Sequence, residues 1–154
     1  MSAILIDTNL LLLLLLGSVD RKQIGQHKRI RQYTSEQFDE LETIASAASR
    51  HVSTPHVLTE TSNLLRLGEP RPLPGLQTWF AEYCRLIDEI LVPSREAVGT
   101  QSFLRLGLAD AALLETCVRN DILIVTDDWR LHGSVSQAGG RALNIWHRFT
   151  PRSQ

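Results

Sequence analysis

Five carboxylates stand out because each interrupts an otherwise apolar stretch. Asp7 ends the run AILID, Glu60 lies in VLTETSNLL, Asp110 in LGLADAALLE, and Asp127 and Asp128 close IVTDD. Taken singly, an acid in such a setting serves as a helix cap or a salt-bridge partner. Several carboxylates gathered at one end of a fold repel one another and raise one another's pKa unless a cation neutralises them. Arg66, Arg105 and Arg130 are the only basic residues in or beside these windows. Oxygen-only donors favour a hard cation, Mg²⁺ or Mn²⁺, bound by a few carboxylates with retained waters. An ion so held polarises a phosphoryl oxygen and activates water, and a second would stabilise the leaving oxygen. Phosphodiester hydrolysis is the reaction implied, with one or two metals both open.

The elements that must position these acids follow from the hydrophobic pattern. The opening apolar run suits a buried strand of a parallel sheet, stopping at Asp7. A leucine-rich helix is expected over 9–16, with Thr8 and Asn9 able to cap it and Gly17 closing it. Phe38, Leu41, Ile44, Ala45 and Ala48 recur at helical spacing over 35–50. A short strand over 51–54 leads to Pro55, which can start a helix carrying Val57, Leu58, Leu64, Leu65 and Leu67. Residues 68–75 form a connection, 76–88 a further helix and 90–93 a strand. A helix over 109–119 precedes ILIVT, the clearest strand, and 142–146 reads as an edge strand. This alternation specifies an α/β fold with a parallel sheet of about five strands flanked by helices. Ligands in such sheets bind beyond the carboxyl ends of the strands. Asp7 and Asp128 sit at two such ends, and Glu60 and Asp110 on helices that start just after a connection.

A chain of 154 residues, 43% hydrophobic and 21% charged, fits one folded domain, expected over 1–150 with a short tail over 151–154. A domain of this length buries roughly 70% of its unfolded surface. The formal net charge of −1 argues against wholesale nucleic-acid affinity, so any phosphate-binding surface must be a local patch. Cys84 and Cys117 match neither a zinc spacing nor a disulfide framework and read as small buried apolar groups. The seven leucines Leu10–Leu16 fall well short of the ~20 residues that span a bilayer, and no Lys or Arg precedes them as in a signal peptide. A soluble cytoplasmic protein without a membrane partner is the expectation.

Four segments in order, ILIDTNLLL, LTETSNLL, LGLADAALLETC and LIVTDDWRL, resemble the PIN-domain family, best known from VapC-type toxins of bacterial toxin–antitoxin pairs. The resemblance covers nearly the whole chain. It implies a three-layer fold, a Mg²⁺- or Mn²⁺-dependent endoribonuclease, and RNA and an antitoxin protein as partners. Asp7, Glu60, Asp110 and Asp128 correspond to the family's acidic site residues, with Asp7, Asp110 and Asp128 as metal ligands. Asn9 corresponds to the residue that orients the first aspartate, and Thr126 to the threonine of the T-x-D turn. Strand alternation puts Thr126 and Asp128 on one side and Asp127 on the other, which favours Asp128 and leaves Asp127 as the alternative ligand. Homodimers are frequent in the family, and a helix apolar all round, as over 10–16, is either deeply buried or part of a self-association surface.

The stretch over 20–34 is longer than the usual connection after the first helix in the family. It carries Arg21, Lys22, His27, Lys28, Arg29 and Arg31. Lys28, Arg29 and Arg31 form a candidate grip on an RNA backbone, the other reading being a solvated helical face. Trp79, Trp129 and Trp146 read as core or rim groups rather than base-stacking groups, and the histidines show no zinc spacing. Two other functions are weighed. A phosphatase of the haloacid-dehalogenase kind needs D-x-D at the first strand, where Asn9 stands instead. A non-catalytic PIN-like RNA- or protein-binding module would not need the complete set of acids.

Overall fold

The computed structural model describes residues 3–66 and 73–149. Leu67 of the expected helix, part of the expected connection, 68–72, and the tail 151–154 lie outside these residues. Strand β1, Ala3–Ile6, places Ile4, Leu5 and Ile6 in the core and pairs in parallel with both β2, Arg50–Ser53, and β4, Leu123–Thr126. The edges are β3, Asp88–Glu89, beside β2, and β5, Arg141–Asn144, beside β4. The sheet order is β3-β2-β1-β4-β5, all parallel, with helices flanking it in a three-layer α/β arrangement. The chain builds outward from β1 to β3, then crosses back to add β4 on the other side. The crevice between the ends of β1 and β4 is therefore the switch point where such sheets bind ligands.

Helix α1, Thr8–Val19, runs through the leucines, of which all but Leu14 are buried. It packs against α2 (Ser35–Ala47), α3 (Pro55–Arg66) and α4 (Leu76–Leu86). Most of the leucine run is thus covered within one chain, with half-buried Leu14 in the wall of a cleft beside α4. Gly17 does not close this helix, which continues until Asp20 turns out of it. A Cβ at Gly17 would stand 2.4 Å from the Phe38 ring, so the glycine answers a packing requirement. The cap at the start is Asp7, which accepts from the Thr8 amide, where Thr8 and Asn9 were expected to serve. Helix α2 is opened by Thr34 in a capping box with Gln37.

Strand β3 forms two residues earlier than the apolar run 90–93 suggests. Pro93 has no N–H for a ladder, and it opens α5, Ser94–Ala97; only Ile90 adds a bond, its amide donating to the Ser53 carbonyl at 2.9 Å. Helix α6, Phe103–Leu106, like α5, is too short to leave a periodic signature. Helix α7, Leu108–Asn120, follows Gly107, whose φ of 83° with ψ of 176° is open essentially to glycine alone. Ala111 and Ala112 of α7 join Val92 and Ala97 in a second small core, which turns Asp110 away from that packing. Helix α8, Trp129–Gln137, links β4 to β5, and α9, Trp146–Phe149, takes up the end of the expected last strand.

The basic stretch over 20–34 is a 3₁₀ turn, Arg21–Gln23, followed by successive turns, and presents no helical face. Three buried side chains pin it: His27, Ile30 and Tyr33. His27 is a structural anchor, its Nε2 3.0 Å from the Leu64 carbonyl and its Nδ1 accepting from the Arg29 amide at 3.1 Å. Cys117 is buried and Cys84 half-buried, both as free thiols. Among the described residues no helix is long and apolar enough to cross a membrane.

Candidate active site

A cavity of about 380 Å³ opens at the β1/β4 switch point, lined by Asp7, Glu60, Asp110, Asp127, Asp128 and Arg29, with Thr8, Asn9 and Gly107 among the remaining wall. All five acids singled out in the sequence thus face one space, with one arginine among them. Strand β1 delivers Asp7, β4 and its turn deliver Asp127 and Asp128, α3 delivers Glu60, and the first turn of α7 delivers Asp110. Three helices, α1, α7 and α8, begin at this cavity. Their positive ends offset part of the mutual repulsion of the carboxylates.

Asp7 is 9% exposed and held on both oxygens. Its Oδ1 accepts from the Thr8 amide at 2.7 Å and its Oδ2 from the Thr126 hydroxyl at 2.7 Å. Burial nevertheless pushes its pKa up to about 6, the two hydrogen bonds pulling down and the charges of Asp127 and Asp128 pushing up further. Asp110 is pushed up to about 7, first by burial and then by Asp7, Asp128 and Glu60, with Arg130 opposing. The carboxylates are therefore held together at a cost to their ionised forms, which a bound cation would remove.

The strand ends at Thr126, so alternation does not carry through the next two residues, and both Asp127 and Asp128 reach the cavity. They are held differently. Asp128 caps α8, its Oδ1 accepting from the amides of Arg130 at 2.8 Å and Leu131 at 3.3 Å, while its own amide donates to the Thr126 hydroxyl at 3.0 Å. Asp127 Oδ2 accepts from the Tyr33 hydroxyl at 2.6 Å and, at 3.5 Å, from the Asn9 amide group. Burial and the charge of Asp127 raise the Tyr33 pKa, so the phenol stays a donor. Asn9 therefore reaches Asp127, and the orientation of Asp7 falls to Thr8 and Thr126.

Thr8 and Tyr33 have parts that the sequence reading did not assign. The Thr8 hydroxyl donates to Glu60 Oε2 at 3.2 Å and so ties α3 to the start of α1. Tyr33 comes from the basic stretch, far in sequence from all five cavity acids, and no local pattern announces it. Of the basic candidates, Arg29 lines the cavity, while Lys28 and Arg31 are exposed on the same turns. A second cleft of about 400 Å³ shares Glu60, Leu108 and Ala109 with the first and continues along α3 past His56 and Asn63.

As the side chains stand, no group of three or more His, Cys, Asp or Glu among the described residues is arranged to hold a metal ion. Asp7, Asp128 and Glu60 each have an oxygen engaged by a protein donor, yet a carboxylate oxygen keeps a second lone pair. Asp110 accepts no hydrogen bond from the described residues. The donor set, oxygen alone and acid-rich, fits a hard divalent cation in its chemistry. No protein-family model matches the chain, and no curated protein matches it.

Proposed function

We propose that the chain is a Mg²⁺- or Mn²⁺-dependent endoribonuclease of the PIN kind. The observation that carries this reading is the convergence of five carboxylates on one cavity at the switch point, two of them with raised pKa. Asp7, Asp110 and Asp128 would hold the cation, with Asp127 as the alternative to Asp128. When bound, the ion supplies polarisation of a phosphoryl oxygen and activation of water.

The chain's own residues supply the rest. Thr126 and the Thr8 amide fix the direction of Asp7, and Thr8 holds Glu60 at the cavity wall, where it can accept a proton from the attacking water. Arg29 provides the positive charge that a phosphate needs beside so many acids. The cleft along α3 continues the cavity past His56 and Asn63, where the strand on one side of the scissile phosphate would lie. A role as the toxin of a toxin–antitoxin pair, neutralised by a small partner protein, follows from the sequence resemblance. It predicts that expression arrests growth only while Asp7 and Asp110 are intact.

A second reading, a non-catalytic RNA- or protein-binding module, draws on the carboxylates already engaged as caps and hydrogen-bond acceptors. One experiment separates the two. Purified chain should cleave RNA in Mg²⁺ and not in EDTA, and D7N and D110N should each lose at least a hundredfold in rate while remaining folded. Cleavage undiminished in both variants overturns the assignment. A wild-type chain that binds RNA and never cleaves it supports the binding module.

A further inference from the structure

The three tryptophans are not equivalent. Trp146 is filled: Tyr33 lies nearly parallel to it, ring centroids 5.3 Å apart at 10°. Trp129 is 53% exposed, and no ring among the described residues lies parallel to it. Its neighbours are two imidazoles that stand across it, His147 at 4.7 Å and 69° and His132 at 5.9 Å and 79°. The imidazoles are themselves crossed at 5.7 Å and 83°. The indole is thus braced by rings from α8 and α9 without being stacked upon.

Its place in the chain gives the brace a purpose. Trp129 is the first residue of α8 and directly follows Asp128, whose carboxylate lines the acidic cavity. The indole is not itself part of the cavity wall but stands at its rim: Asp128 before it lines the cavity, and His147 against it follows Trp146, whose stacking partner Tyr33 donates to Asp127. A base flanking a phosphate in the cavity would meet the ring there. Exposed aromatic rings beside a phosphate-binding groove stack on nucleobases with little regard to sequence. Arg130, the next residue, has its guanidinium turned to the Arg105 carbonyl at 2.9 Å and adds positive charge on the same turn.

We propose that Trp129, braced by His132 and His147, is a nucleobase-stacking subsite that admits an unpaired base next to the scissile phosphate. This deepens the ribonuclease reading and rests on it. A base inside a duplex has both faces covered by its neighbours, so the subsite selects single-stranded segments, loops or ends.

The test measures binding of a fluorescein-labelled RNA hexamer by anisotropy in Ca²⁺, alongside a cleavage assay in Mg²⁺. W129A should weaken single-strand binding about tenfold, W129F should stay within about threefold of wild type, and a duplex of the same sequence should show no dependence on Trp129. Replacing one nucleotide by an abasic one should weaken wild-type binding about tenfold and W129A binding not at all. Equal affinity of W129A and wild type, or equal loss with single strand and duplex, overturns the subsite, as does a wild-type chain that does not bind the hexamer. RNA cleaved in Mg²⁺ with W129A binding like wild type removes the subsite alone. Trp129-dependent binding without any cleavage keeps the subsite and removes the nuclease reading.

Discussion

Replacing Asp7 by asparagine should stabilise the metal-free protein above neutral pH while removing its response to metal. The carboxyl is held at about 6 against an ordinary 3.8, chiefly by burial, and this difference corresponds to about 3 kcal/mol. Below pH about 3.8 the group is neutral in both folded and unfolded chains and its charge has no effect. Between 3.8 and about 6 the unfolded chain ionises first, so native stability falls as pH rises; above about 6 the loss is complete. The D7N amide keeps the acceptor for the Thr8 N–H, and the Thr126 hydroxyl can turn to accept its NH₂ group. At pH 8 in EDTA, D7N should therefore melt higher than wild type by up to roughly 6–12 °C, at about 2–4 °C per kcal/mol for a domain of this size. The gap should close near pH 4. Mg²⁺ should raise the wild-type midpoint and leave D7N unmoved, because a ligand stabilises only the state that binds it. Differential scanning fluorimetry across pH reads all of this. A D7N midpoint below wild type at pH 8, or a gap that does not vary with pH, would refute the reasoning that the carboxylate is held against its own ionisation.

Affinity for Mn²⁺ should climb steeply up to about pH 7 and then level, since Asp7 and Asp110 must ionise at about 6 and about 7 to bind it. Calorimetry in buffers of different ionisation enthalpy should count the released protons, and pH-independent affinity between 5.5 and 8 would contradict it. Y33F removes the 2.6 Å hydrogen bond to Asp127 and should lower stability by about 1–2 kcal/mol, visible as a lower urea midpoint; an unchanged midpoint would show the bond to be incidental. G17A places a methyl 2.4 Å from the Phe38 ring and should cost about 1–3 kcal/mol, part of it restored by also trimming Phe38 to leucine. A fully stable G17A would show that α1 and α2 have room to separate.

The parts of the fold that could be read from the sequence are those with a strong hydrophobic signal. AILI and LIVT are buried on both faces as central strands, and Pro55 opens its helix where expected. Readings went astray where one residue has two physical meanings. Gly17 resembles a helix terminator, but the Phe38 ring across the helix pair is invisible to local pattern. The apolar run over 90–93 looks like a strand, but its partner β2 stops at Ser53 where Pro55 opens α3, so the ladder ends at Ile90 and Pro93 opens α5. At the site, the acids announce themselves as charges in apolar stretches, and all five line the cavity. Their supports do not, because Thr8 and Tyr33 act across 52 and 94 residues of sequence. The alternation that separates Asp127 from Asp128 assumes an extended chain, and the strand stops one residue before them. Trp129 reads in the sequence as core or rim like the other tryptophans, and its exposure and the crossing angles of its neighbours distinguish it from the filled Trp146.

The central claim is that these carboxylates form one cation site, and an anomalous-difference map from a crystal soaked in Mn²⁺ tests it most directly. The account predicts a peak in the cavity bounded by Asp7, Asp110 and the Asp127–Asp128 turn, lost in D110N, with its closest oxygens deciding between Asp127 and Asp128. A map with no peak in that cavity, or with Mn²⁺ bound only elsewhere on the surface, would contradict it.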